Sequence, residues 1–257
     1  MQWFEVDQID EITYVISENQ HWEKFNTYYL IGDKYNVVID CGIGIYKIKE
    51  VLKTIDDKPI KLFITHMHWD HIGNMEEFKE IYLSEKANYY LKKGYWEPIE
   101  EVQEKVIRDV DQKLLPDDFE VENYTIETSE DGNVVQDKDI FNLGNREIEV
   151  IETPGHTEDH LCFYDRTNKY LFAGDFIYKG PLFLERDYTD IDDYFDSLEK
   201  IINNYPDIKK ILSSHYEPEI SFNYLKEIYQ FILKLKEEGK YKQGTKVHKN
   251  GKHKIFL

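Results

Sequence analysis

Strand-like and helix-like segments alternate along this 257-residue chain, and the alternation predicts an α/β fold, a four-layer αββα sandwich. Three observations carry the expectation. Short apolar runs recur, and several close at their carboxyl ends on clusters of His and Asp. Stretches with apolar residues at helical spacing lie between them. An opening set of strands is joined by tight turns.

Taken in order, residues 12–16, 27–31 and 35–40 read as an antiparallel meander, with turns at Glu18-Asn19 and Gly32-Asp33. Residues 45–55 place Ile45, Ile48, Val51, Leu52 and Ile55 on one helical face, and Pro59 follows as a stop. Lys61-Leu62-Phe63-Ile64 reads as a buried strand, Ile72-Gly73-Asn74 as a helix start, and residues 75–80 as a helix. After a middle segment come two strand pairs. Asp190-Ile191-Asp192-Asp193 reads as an acidic helix start leading to residues 194–205, which Pro206 ends. Residues 218–238 read as the last long helix. Residues 246–256 read as a hairpin around Asn250-Gly251, with His248 and His253 flanking the turn as exposed strand residues. No repeat or low-complexity linker interrupts the chain, so a single domain, 1–257, is expected.

The chemistry concentrates at the strand ends. Thr65-His66-Met67-His68-Trp69-Asp70-His71 follows the strand at 61–64 and places three imidazoles and a carboxylate in one strand-to-helix turn. These are the nitrogen and oxygen donors that zinc favours. Three partners follow further apolar runs: Thr153-Pro154-Gly155-His156-Thr157-Glu158-Asp159-His160, Ala173-Gly174-Asp175 and Ser213-Ser214-His215. All four groups are expected on one edge of a sheet sandwich.

With Asp40-Cys41-Gly42 after Val37-Val38-Ile39, this set of five motifs resembles the metallo-β-lactamase superfamily of hydrolases, over residues 22–215 or so. The resemblance implies two zinc ions, with iron or manganese as alternatives. His66, His68 and His156 would hold the first ion, Asp70, His71 and His215 the second, and Asp175 would bridge them beside a hydroxide. Two close divalent ions need such a carboxylate to offset their repulsion. His160 would support its neighbours and Asp40 would orient a ligand histidine through a hydrogen bond. Asp70 would orient the nucleophile and shuttle a proton. Tyr178 lies three residues past the bridging aspartate, where the acyl-homoserine lactonases of the superfamily carry a tyrosine aimed at the substrate carbonyl. The acyl-coenzyme A hydrolases with this domain look similar over Asn26-Thr27-Tyr28, Gly174-Asp175, Tyr178 and Gly180.

The implied activity is hydrolysis of a thioester or lactone ester, whose leaving groups need little protonation. Iron-dependent sulfur dioxygenase chemistry on the same fold stays open, as do β-lactam and phosphodiester cleavage. A net charge of −19 argues against nucleic acid and against phosphate-rich partners generally; Lys92, Lys93 or Lys179 would be needed as a local anion site for coenzyme A. No apolar run reaches membrane-spanning length and the first seven residues are acidic, so the expected setting is the cytoplasm, with Cys41 and Cys162 as reduced thiols and no membrane partner. The expected partner is a small-molecule substrate, with a homodimer as a further possibility. The insertion at 84–140 carries Tyr89, Tyr90, Tyr95, Trp96 and Tyr124, just past Tyr82, and an amphipathic stretch over 97–115. Its helices would form a lid with an aromatic entry, or would bury the insertion's own underside.

Overall fold

The computed structural model describes residues 3–94, 96–126, 132–244 and 246–257. Tyr95, one of the aromatic residues expected in the insertion, lies outside the described residues. The chain divides into two compact units, residues 1–135 with 142–145, and residues 136–141 with 146–257.

The first unit is built on a seven-stranded sheet whose spatial order follows the chain: β1 (Glu5–Asp10), β2 (Thr13–Glu18), β3 (Phe25–Leu30), β4 (Asn36–Ile39), β5 (Ile60–Phe63), β6 (Ile81–Leu83) and β7 (Asn133–Val134). The first four pair antiparallel, as the meander expectation requires, and the rest pair parallel. β1 has no counterpart in the sequence reading, because most of its residues are polar and it lies at the sheet edge with one partner. Helix α1 (Ile48–Ile55) carries β4 into β5 and buries Ile48 and Leu52, each such side chain contributing about 1.5–3 kcal/mol. It begins three residues later than expected. Gly44 sits at φ +90°, and a side chain there would strike the backbone of Gly73 at 2.3 Å, so the preceding loop packs instead of coiling.

The expected helix at 75–80 is a correction. Helix α2 (Trp69–Ile72) is one turn, Met75–Glu77 is a single 3₁₀ turn, and the chain then returns as β6 to pair with β5. Sheet pairing overrides the local helical spacing here. The insertion contributes α3 (Glu85–Lys93) and α4 (Ile99–Ile107). The second is shorter than the 97–115 stretch because Asp109 takes a left-handed conformation at φ +55°. Ala87, Leu91, Val102, Val106 and Tyr124 join Leu62 and Ile64 in this unit's core. The amphipathic stripe is therefore core, whereas Tyr89 and Trp96 stay exposed.

The second unit carries a six-stranded sheet formed by β8 (Ile140–Asn142), β9 (Glu147–Glu152), β10 (Leu161–Asp165), β11 (Tyr170–Gly174), β13 (Lys210–Ser213) and β14 (Glu219–Ile220). β12 (Pro181–Phe183) belongs to a separate small sheet with β15 (Val247–Asn250) and β16 (His253–Phe256). Helix α5 (Ile191–Asn204) starts where the acidic run predicts: Asp190 caps it, accepting from the backbone N–H groups of Asp192 and Asp193. Helix α6 (Phe222–Glu237) follows β14 and is capped by Ser221. Tyr194, Leu198, Ile201, Leu225, Ile228 and Ile232 bury these helices against Ile151, Leu171 and Ile211 of the strands.

The C-terminal hairpin forms, but shifted by one position. Asn250 pairs with His253 and His248 with Ile255, so the turn residues are Gly251-Lys252 and the two histidines are not opposite each other. His253 is buried, against expectation, with Nε2 3.0 Å from the Glu227 carboxylate. Among the described residues no helix is long and apolar enough to cross a membrane.

Candidate metal centre

Each unit gathers donors at one sheet edge, and strand direction explains why. In the first unit β4 and β5 are parallel neighbours, so the residues that leave their carboxyl ends, Asp40 and Thr65-His66, emerge side by side. Asp40 adopts φ +58°, a left-handed conformation that Asp tolerates better than most residues. Its carboxylate accepts the Thr65 backbone N–H at 2.8 Å through Oδ1, and the Thr65 hydroxyl at 2.8 Å and His71 Nδ1 at 2.7 Å through Oδ2.

That arrangement fixes two imidazoles. His71 Nδ1–H donates to Asp40, which leaves Nε2 with a lone pair. The Thr65 hydroxyl, having donated to Asp40, accepts from His66 Nδ1 at 3.0 Å, so His66 likewise presents an Nε2 lone pair. His66 Nε2 lies 2.9 Å from His68 Nδ1, and the His66 ring is centred 4.1 Å from that of His71. Two nitrogens on one tetrahedral zinc ion would stand about 3.3 Å apart, close to the His66–His68 spacing. Asp70 is buried beside them, its carboxylate 4.0 Å from His71 Nε2. All four donors expected in the first motif are thus together, and the His71 and Phe25 rings pack in a T-shape with centroids 4.7 Å apart.

In the second unit β11 and β13 are parallel neighbours and β9 runs in the same sense two strands away. Their carboxyl ends bring His156, Asp175 and His215 to one edge. Asp175 stands between the two histidines: Oδ2 is 3.6 Å from His156 Nε2 and Oδ1 is 3.0 Å from His215 Nε2. One carboxylate facing two imidazoles, one oxygen to each, is the disposition of a bridging ligand. Gly155 makes the turn that aims His156. It sits at φ +135°, where a side chain would meet the Tyr194 backbone at 2.3 Å, and its carbonyl accepts the Asp190 N–H that opens α5.

His160 makes the contacts that a residue supporting its neighbours would make. Its Nε2 accepts the Asp175 backbone N–H at 3.2 Å, so Nδ1 carries the proton and donates to Thr153 Oγ1 at 2.9 Å. Tyr178 lies beside His215 with ring centroids 5.5 Å apart, but its hydroxyl donates to the Pro181 carbonyl at 2.8 Å. A hydrogen bond from this phenol to a substrate oxygen would require that bond to open. Lys179 is ion-paired with Glu217.

Two residues that brace the candidate donors and their loops escaped the sequence reading. Thr65 sits within the motif, and only its contacts reveal its part in setting the His66 tautomer. Glu18 is buried between Trp3 Nε1, at 2.8 Å, and the Ile43 N–H, at 3.0 Å. Burial pushes its carboxyl up to about 7. It pins the loop whose Gly42 carbonyl accepts from Gly73 N–H and whose Cys41 N–H donates to the His71 carbonyl. Cys41 and Cys162 are buried and form no disulfide with each other, and burial raises the Cys41 thiol well above its usual range.

Paired histidines and carboxylates at the ends of parallel strands occur in a known superfamily, and the profile described as "Metallo-beta-lactamase superfamily" matches residues 22–215. The chain belongs to the metallo-β-lactamase superfamily. Among superfamily relatives, the chain is similar to the acyl-coenzyme A thioesterase MBLAC2 of Homo sapiens, at 25% identity over 232 residues, 84% of this chain and 82% of that protein. It is 30% identical over 196 residues to the hydroxyacylglutathione hydrolase of Pelagibacter ubique, covering 74% of this chain and 66% of that one. A metallo-beta-lactamase from Pontibacter korlensis shares the fold with a TM-score of 0.65 at 19% identity, covering 88% and 97% of the two chains. The metallo-β-lactamase fold is an α/β fold of mixed sheets and helices, in agreement with the class predicted from the sequence.

Proposed function

We propose that this chain is a dinuclear metal-dependent hydrolase that cleaves a thioester or an ester, with zinc as its ion. The observation that carries the reading is Asp175, with one carboxylate oxygen turned to His156 and the other to His215. In this reading the two units form the superfamily's single domain. His66, His68 and His156 would hold one ion, Asp70, His71 and His215 would hold the other, and Asp175 would be shared. Five imidazoles and two carboxylates suit borderline divalent ions. When bound, such ions supply Lewis acidity and water activation at neutral pH.

The chain's own residues do the rest. Asp40 and Thr65 hold His71 and His66 in the tautomer that offers Nε2, so no reorganisation is needed as charge develops. Asp70 orients the attacking water towards the substrate carbonyl, accepts its proton and returns it to the leaving group. Thiolate or alkoxide leaving groups ask least of that transfer. The similarity to an acyl-coenzyme A thioesterase and to a hydroxyacylglutathione hydrolase supports the thioester class. Tyr178 enters as a support for His215 and for the turn to Pro181, since its hydroxyl is engaged there.

The reading is tested by stripping the protein with chelator, adding back zinc, and following a chromogenic thioester and a lactone. Turnover that returns in step with zinc supports it. Oxygen consumption on iron addition, without ester or thioester cleavage, would replace it with oxidative chemistry.

A further inference from the structure

Within the first unit, the three imidazoles of the histidine motif are not equally accessible. His66 and His71 are fully buried, whereas His68 is only partly so. Solvent therefore meets this cluster at His68. Trp96, from the segment joining α3 to α4, stands beside it, with ring centroids 6.0 Å apart at 47°.

The indole is held there. Its Nε1–H points to the Met67 carbonyl at 3.4 Å, which ties the insertion to the backbone of the motif itself, 29 positions away. The next residue, Glu97, is buried and ion-paired with Lys105 of α4, and Pro98 then starts that helix. Trp96 nevertheless leaves 42% of its surface in water, although the Trp3 and Trp69 side chains are almost completely covered. An indole fixed in place with its face exposed loses little freedom when a ligand covers it, so it forms a ready apolar contact. Among the described residues the insertion's other exposed aromatic is Tyr89, whose ring has Lys93 over it at 5.6 Å.

We propose that Trp96 is a specificity-determining residue whose exposed face receives the hydrocarbon part of the substrate's acyl group. The proposal rests on the ester or thioester hydrolase reading and narrows its substrate class. Because the His68 and Trp96 rings are neighbours, a substrate bound where His68 would hold an ion would bring its acyl substituent near this ring. An acetyl group is too short to cover the indole and an octanoyl group is not.

The test compares acetyl, butanoyl and octanoyl thioesters of one thiol on wild type, Trp96→Ala and Trp96→Phe, with metal content measured for each. A second arm titrates octanoate into the metal-free proteins and follows tryptophan emission. Wild type should prefer octanoyl. Trp96→Ala should lower the octanoyl-to-acetyl ratio of kcat/KM about tenfold or more, through KM, with Trp96→Phe keeping most of the preference. Octanoate should shift the emission of wild type and not of Trp96→Ala. The same chain-length profile in wild type and Trp96→Ala, with no emission change in wild type, would overturn the proposal. Absence of any ester or thioester cleavage by the zinc-loaded wild type would overturn the hydrolase reading instead, while the octanoate titration would still decide whether Trp96 binds a hydrocarbon chain.

Discussion

Replacing Asp40 by Asn alters one side chain that touches no substrate, yet the geometry ties it to metal affinity. The Asp40 carboxylate accepts three buried hydrogen bonds, from Thr65 N–H, the Thr65 hydroxyl and His71 Nδ1. An amide offers one oxygen. If that oxygen keeps the Thr65 N–H, the amide NH₂ faces His71 Nδ1 and the Thr65 hydroxyl. His71 must then accept at Nδ1 and carry its proton on Nε2, the atom that ligation needs bare. The Thr65 hydroxyl turns as well, which disturbs His66. Loss of such a supporting carboxylate typically weakens metal binding 10- to 100-fold, about 1.4–2.8 kcal/mol. Competition between the protein and a chromogenic chelator measures this directly. Asp40→Asn should give up an ion at chelator concentrations that leave wild type loaded. Wild-type affinity for every ion in Asp40→Asn would refute the argument that Asp40 sets the His71 tautomer.

Further outcomes follow from the same contacts. Glu18, raised from 4.5 to about 7, binds its proton more tightly in the folded state. Its stabilising contribution is full below pH 4.5 and is lost as pH rises through 7, a swing of about 3 kcal/mol. Urea unfolding of the metal-free protein at pH 5 and pH 8 should show most of that swing in wild type and lack it in Glu18→Gln; equal pH dependence would refute the burial argument. Arg146 and Asp165 form an ion pair with both side chains fully buried. Asp165→Ala removes the carboxylate from a fully buried guanidinium and should destabilise the protein by about 3–5 kcal/mol, read by chemical denaturation. Tyr178→Phe removes the bond to the Pro181 carbonyl and should lower stability by about 1 kcal/mol while keeping the metal content. Its turnover should fall less than the 10²- to 10³-fold typical of a lost oxyanion donor, and a fall of that size would assign the phenol to catalysis.

The clustering of candidate donors within each unit was legible because strand direction and donor chemistry coincide in the sequence. Apolar runs ending in Asp40, His66, Asp175 and His215 mark carboxyl ends of strands that are parallel neighbours in pairs, β4 with β5 and β11 with β13. What was not legible depends on contacts distant in sequence. Glu18 meets Trp3 and Ile43, 15 and 25 positions away, and nothing around it distinguishes it from a solvated turn residue. The hairpin shows the same limit at short range. Asn250-Gly251 marks a turn correctly, but pairing of β16 with β12 as well as β15 sets the register, and His253 is turned inward against Glu227. Residues 75–80 failed for a related reason, since a helical spacing so short cannot outweigh the pairing of β6 with β5.

The claim on which the rest depends is that Asp175 joins two metal sites. Crystals of the zinc-loaded protein, measured above and below the zinc absorption edge, would test it without reference to substrate. Two anomalous peaks flanking the Asp175 carboxylate, one beside His156 and one beside His215, are the predicted result. A single peak, or peaks remote from Asp175, would contradict the account.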